Sequence, residues 1–226
     1  MFLKKINELF QQNKKPVQKE QPDRVVADNV KDKDTLVLHG QEGNTISGTP
    51  EKMIGVSVVK FSNRNNTLII GKNVTLNRCS FVFTDVDGTI EIGDNAILKG
   101  EFRVTRGCYI RIGNGTKFNK PSRMHAADRS KIIVGADCLF ANVHLRTSDS
   151  HSIIDLNSGK KLNNSADIII GDRVWLAENV YLYKGAVIGS GSVIGAGSIV
   201  TKPFPENVLL AGIPAKIIKT DITWKE

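Results

Sequence analysis

With three cysteines, two tryptophans and only 6% aromatic residues, this 226-residue chain is short of several common sources of stability and chemistry. Cys79, Cys108 and Cys138 are odd in number, far apart and free of any CxxC spacing. Neither a disulfide framework nor a cysteine zinc site is indicated, and the three read as small residues in or near a structural wall. No apolar run reaches the roughly 20 residues that a membrane-spanning helix requires, and the opening MFLKKINELF is too short and too charged for a signal-peptide core. Together these absences point to a reducing, cytoplasmic setting. Also missing over much of the chain is the apolar period of a helix, three to four residues, or of a half-buried strand, two.

A period of six takes their place. From Ile170 to Val200 the chain reads IGDRVW, LAENVY, LYKGAV, IGSGSV, IGAGSI, so that Ile170, Leu176, Leu182, Ile188, Ile194 and Val200 open successive units. A short strand followed by a corner, repeated, fits this spacing. It predicts an all-β solenoid, a parallel β-helix with three six-residue sides per coil. Such a stack grows by adding coils, so one elongated domain accounts for the length. The twenty glycines and few aromatics suit tight corners and a narrow interior that admits Val, Ile and Leu better than Phe or Trp.

An aliphatic-Gly pair recurs at Ile70, Ile92, Ile112, Val134, Ile170 and Ile188, at intervals of 22, 20, 22, 36 and 18 residues. Eighteen is one coil, and 20 and 22 are coils with bulged corners. The interval of 36 reads as one coil carrying a long excursion over residues 147–167, TSDSHSIIDLNSGKKLNNSAD, a polar stretch of the length that usually has a function. Roughly seven coils at ~4.8 Å would make a prism about 34 Å long.

The remaining boundaries follow from composition. Residues 1–34 hold a short amphipathic helix, with Phe2, Leu3, Ile6, Leu9 and Phe10 on one face, and a polar linker. That helix either touches a membrane surface through residues 1–15 or packs on the protein. Residues 35–69 form irregular initial coils, 70–206 the regular β-helix, and 207–226 a cap in which AGIPAKIIK supplies a strand and a short closing helix. The net charge of +8 draws the chain toward anions. Nucleic acid is disfavoured, because the basic residues are not interleaved with aromatics.

The segment from IGDRVWLAENVY to AGIPAKIIK resembles the closing half of the hexapeptide-repeat acetyltransferases, and RTSDSHSIID before it is most similar to the capsular and sialic-acid polysaccharide O-acetyltransferases within that family. The resemblance implies a left-handed β-helix, a homotrimer, acetyl-CoA as donor and active sites between neighbouring subunits. By register with the family, the catalytic histidine falls at His151, an active-site asparagine at Asn119, and the tryptophan lining the acyl or acceptor pocket at Trp175. It also implies pantetheine contacts near Ala196, Thr201 and Lys202 near the nucleotide, and Lys216 and Lys219 near its phosphates. Two departures stand out. Lysine replaces the family's frequent arginine at the last two positions, and WLA replaces WIG after Trp175.

The chemistry expected of these residues is direct acyl transfer. A sugar hydroxyl is a poor nucleophile and needs a base within hydrogen-bond reach. An imidazole of pKa about 6.5 can act so near neutral pH. His151 would take the acceptor proton and return it to the departing thiolate, Asn119 or a nearby backbone N–H would stabilise the oxyanion, and a carboxylate such as Asp149 or Asp155, or a backbone carbonyl, would hold the second ring nitrogen. The acceptor expected is a capsular or other surface polysaccharide, modified at the inner face of the membrane. The alternatives are a small sugar, nucleotide-sugar or amino acid, and a non-catalytic scaffold. His144 reads as a structural histidine, His39 and His125 fit no pattern, and the spacing of 125, 144 and 151 does not resemble a three-histidine zinc site.

Overall fold

A computed structural model describes residues 34–226. The expected amphipathic helix and its membrane contact at residues 1–15 lie outside the described residues. Those described are all β, with no helix, and so none long and apolar enough to cross a membrane. They form a left-handed parallel β-helix of about eight turns.

Each coil visits three walls in order. The first wall is one sheet of eight strands, from Thr45–Ser47 to Pro203–Phe204. The second and third walls share the larger sheet, because Thr75–Phe83 and Ile97–Val104 are long enough to bend from one wall into the next. Within the walls all strand pairings are parallel until the last strand. Alternation then sorts the side chains. On the first wall Leu68, Ile90, Ile110, Ile132 and Ile168 stack inward, fully buried, while Ile69, Glu91, Arg111, Ile133 and Ile169 stack outward. Each inward aliphatic side chain contributes about 1.5–3 kcal/mol by leaving water.

The aliphatic-Gly pair marks the corner between the first and second walls. Successive coils approach so closely there that a Cβ on Gly113 would lie 2.4 Å from the Gly135 carbonyl carbon. Where Asp or Asn follows the glycine, as at Asp94, Asn114 and Asp172, its side chain completes the corner. Asp94 accepts the Lys72 amide at 2.7 Å, and Asp172 accepts the Ala136 amide at 2.7 Å. The triplets IGD and IGN therefore encode backbone contact between coils and a hydrogen bond across it.

The interior differs from expectation. Phe61, Phe81, Phe83, Phe102, Phe118 and Phe140 all point inward and are buried. They stack through the early coils, Phe118 on Phe140 at 4.7 Å and Phe61 on Phe83 at 4.6 Å. Coils of 20 or 22 residues enclose more space than coils of 18, and the rings fill it. Burial also pushes the thiols of Cys79 and Cys138 up to about 12, as wall residues without reactive character.

The chain closes with an antiparallel strand, Ala215–Lys219, on Leu209–Gly212, where the sequence predicts a short helix. Gly212, at a φ of 106°, permits the reversal. The β-branched pair Ile217-Ile218 favours a strand, and pairing satisfies the edge amides left after the last coil. The residues beyond fold back along the corner between the first and second walls. Ile222 donates to the Asn207 carbonyl at 3.0 Å, and Lys117 pairs with Glu226 at 2.7 Å.

Candidate functional site

Val134 pairs with Ile170, so a single coil step contains the whole excursion, and residues 147–167 leave from the corner between the third and first walls. Its neck is closed by the Ala166 amide donating to the Thr147 carbonyl at 3.1 Å. An antiparallel bridge between Ile154 and Lys161 crosses its middle. Asn163, only 9% exposed, is the central post. Its amide donates to the His151 carbonyl at 2.7 Å and to Asp149 at 2.9 Å, and its oxygen accepts the Ile153 amide at 2.7 Å. Lys184 from the next coil reaches Asp149 at 2.5 Å, and the Arg146 guanidinium donates to the Ser148 carbonyl at 3.0 Å. A polar stretch without the hexapeptide pattern is thus held by side chains in place of a core.

His151 is exposed on this loop, with its backbone carbonyl fixed by Asn163. The two carboxylates expected to orient its ring are engaged elsewhere. Asp149 binds Lys184 and Asn163, whose hydrogen bonds hold its carboxyl below the usual range. Asp155 caps Asn157 and Ser158, which also lowers it. Asn119 and Trp175 stand on the second wall, both exposed, Asn119 near the corner with the third wall and Trp175 just past the corner with the first. His151, Asn119 and Trp175 therefore sit at three different corners of one prism. Among the described residues no hydrogen bond joins them, and one chain alone does not bring them together.

The residues assigned to the donor divide in the same way. Ala196 occupies an exposed turn at the corner that Asn119 approaches, whereas Thr201 and Lys202 are exposed on the corner that carries the His151 loop. Lys202 lies over the Phe204 ring at 5.5 Å. Lys216 and Lys219 are exposed on the closing strand.

Several contacts were not legible in the sequence. Trp224 packs on Trp175 with ring centroids 6.1 Å apart and donates from Nε1 to the Arg173 carbonyl at 2.7 Å. Its one signal was a lone aromatic in a polar terminal stretch. At the base of the loop a cleft of about 730 Å³ is lined by Asp85, Arg106, His125, Asp128, Arg129 and Ser150, among others. The His125 Nε2 atom is buried there without a partner, and burial, then Arg146 and Arg103, push its imidazole down. His144 is half-buried, stacked on Tyr181 at 4.9 Å, and its pKa is lowered by burial and by Arg123. Among the described residues no group of three or more His, Cys, Asp or Glu is placed to hold a metal ion.

Comparison with known proteins adds the following. Residues 167–202 match the bacterial transferase hexapeptide model, which spans six repeats. The chain is 43% identical over 136 residues to a polysialic acid O-acetyltransferase of Escherichia coli O1:K1 / APEC, across 60% of this chain and 44% of that protein. It is 30% identical over 143 residues to a polysialic acid O-acetyltransferase of Neisseria meningitidis, across 62% of this chain and 66% of that protein. It therefore spans less than half the length of the first of these curated relatives. The crystal structure of the polySia-specific acetyltransferase NeuO superposes with a TM-score of 0.79 and 35% identity, covering 85% of this chain and 88% of that one.

Proposed function

The chain belongs to the hexapeptide-repeat acetyltransferase family, and from that premise we propose that it transfers an acetyl group from acetyl-CoA to a hydroxyl of a capsular or other surface polysaccharide. The observation that carries this reading is the His151 loop. Among the described residues it is the long interruption of the repeat, it is built by a buried asparagine and an ion pair, and it presents an exposed histidine next in sequence to Ser150, which lines a cleft of about 730 Å³.

In this reading His151 accepts the proton of the acceptor hydroxyl as that oxygen attacks, then gives the proton to the departing thiolate. No acyl-enzyme forms. Bound acetyl-CoA supplies the thioester carbonyl. The chain's exposed cations on the last coils, Lys202, Lys216 and Lys219, suit its phosphates, and the turn at Ala196 its pantetheine arm. Asn119 donates a hydrogen bond to the oxyanion, and Trp175 walls the pocket, with Trp224 behind it.

Because the three residues sit at different corners, the site is completed between copies of the chain, in a homotrimer. The loop supports this arrangement. Leu156 is 99% exposed, Leu162 63% and Ile153 58%, an apolar surface that a neighbouring subunit would cover. The relatives named for polysialic acid support an acidic polymer, by analogy one containing sialic acid, as the acceptor, and acetyl-CoA sets the reaction in the cytoplasm.

His151→Ala tests the mechanism. Thiol release from acetyl-CoA with an acidic polysaccharide should fall by about 10²–10⁴-fold, while the assembly state in analytical ultracentrifugation is unchanged. Activity within a few-fold of the parent would remove His151 as the base. Release with small sugars or serine alone would replace the polymer with a small acceptor.

A further inference from the structure

The third wall carries a feature the reaction does not use. Its strands are parallel and in register, so outward side chains align in columns along the prism. One column reads Glu101, Arg123, His144, Tyr181 and the other Arg103, His125, Arg146, Tyr183. Successive members lie one coil apart, roughly 4.8 Å. His144 stacks on Tyr181 at 4.9 Å and 24°, and Tyr181 lies 6.3 Å from Tyr183 at 22°. These rings and guanidinium groups line a groove of about 300 Å³. Two guanidinium groups, Arg123 and Arg146, line it with one carboxylate, Glu101, which is bound from beside the groove by Arg103 at 3.1 Å. Arg123 is exposed and forms no ion pair within the groove. The second column runs beside the corner from which the His151 loop projects, and its Arg146 also holds that loop through Ser148.

We infer that this wall is the track on which an acidic polysaccharide lies, with guanidinium groups on its carboxylates and the His144, Tyr181 and Tyr183 rings against its sugar faces. Guanidinium matches a carboxylate with two parallel hydrogen bonds. An aromatic face offers the apolar contact that the C–H surface of a pyranose needs, and a ring with a polar edge can also serve its hydroxyls. The ladder repeats coil by coil, as a polymer repeats residue by residue, and it leads toward His151. A small acceptor would need none of this length. The inference rests on the polysaccharide reading above and gives it a surface. Single-stranded nucleic acid also uses aromatic rings beside arginine. The sugar polymer is favoured because Arg146, which lines the groove, also holds the His151 loop through Ser148.

The test is binding by the full chain to polysialic acid, with uncharged dextran and a single-stranded oligonucleotide of equal charge as comparisons, at 50 and 200 mM salt. Arg123→Ala and Tyr181→Ala are the variants, both on the outer surface, with folding checked by thermal melting. Polysialic acid should bind the parent, dextran should not, and each variant should weaken binding about five- to tenfold. Arg123→Ala should also flatten the salt dependence, as expected for one lost charge contact. If the parent binds polysialic acid and both variants bind equally well, the track is wrong and the polysaccharide reading survives. If the parent binds only the oligonucleotide, the wall serves nucleic acid and the inference is overturned. If the parent binds neither and acetylates only small acceptors, the polysaccharide reading itself fails.

Discussion

Asn163 is the position where a small change should detach the His151 loop without touching the reacting groups. Its side chain makes three hydrogen bonds, to the His151 carbonyl at 2.7 Å, from the Ile153 amide at 2.7 Å and to Asp149 at 2.9 Å. In Asn163→Ala all three are lost, and two backbone groups of the loop lose their partner. At about 1 kcal/mol net per bond, with the exposed Asp149 link counted least, the loss is about 2–3 kcal/mol. At 1.4 kcal/mol per factor of ten, local opening becomes about 30–150-fold more frequent. Native-state hydrogen exchange reads this directly. The Leu162 amide, which donates to the Ile153 carbonyl at 2.8 Å, should exchange faster by that factor, while the wall strands around Ile132 and Ile168 keep their protection. Turnover should fall with it, because His151 is no longer fixed by its carbonyl. Exchange at Leu162 within threefold of the parent would refute the role assigned to Asn163. Lost turnover with unchanged exchange would move that residue from the frame of the loop into the chemistry.

Two further outcomes follow from burial. His125 is held below its ordinary pKa by burial first, then by Arg146 and Arg103, against the opposing pull of Glu101 and Asp128. Below about pH 6.5 the unfolded chain binds a proton there that the folded chain resists, so stability should fall as the pH drops from about 7 toward 5. In His125→Gln the melting temperature should lose that part of its slope over the same window, and an unchanged slope would contradict the assignment. Phe140→Ala empties a fully buried site stacked on Phe118 and should cost about 3–5 kcal/mol in urea unfolding, against under 1 kcal/mol for the exposed Ile218→Ala.

The coil is legible in the sequence because its cause is local. A side chain that must point inward every sixth position, and a glycine where two coils touch, leave a spacing that neither a helix nor an ordinary strand produces, so Ile170 and Gly171 announce their corner from the chain alone. The excursion is legible for the opposite reason, as the place where that spacing stops. Other features depend on what lies one coil away. The six phenylalanines of the wider coils escape a sequence reading because the intervals of 20 and 22 report longer corners but not that the added width is filled by inward rings. The expected closing helix falls on a segment whose true partner, Leu209–Gly212, becomes available only once the stack ends. The third-wall columns are hidden because Arg123 lies 21 residues from His144, and His144 37 residues from Tyr181, so that the three are adjacent only in register. His151, Asn119 and Trp175 can be found one at a time by counting. That they stand at separate corners emerges only when the walls are assigned, because the bulged corners of the longer coils and the excursion that carries His151 interrupt the six-residue count.

The same stacking has a consequence for how the chain folds. Thr67 faces Thr89, and Val187 faces Pro203, so paired strands lie about 16–22 residues apart along the chain. Divided by the chain length, a separation of about 20 gives a relative contact order of ~0.09, the range of small helical bundles rather than of β-sandwiches. Each coil can close on the one before it without waiting for a distant strand. The step from Val134 to Ile170 is the long one, and by loop-closure entropy its 36 residues cost only about 0.4 kcal/mol more than a coil of 22. An all-β protein built this way carries its longest loop at almost no cost to the speed or order of assembly.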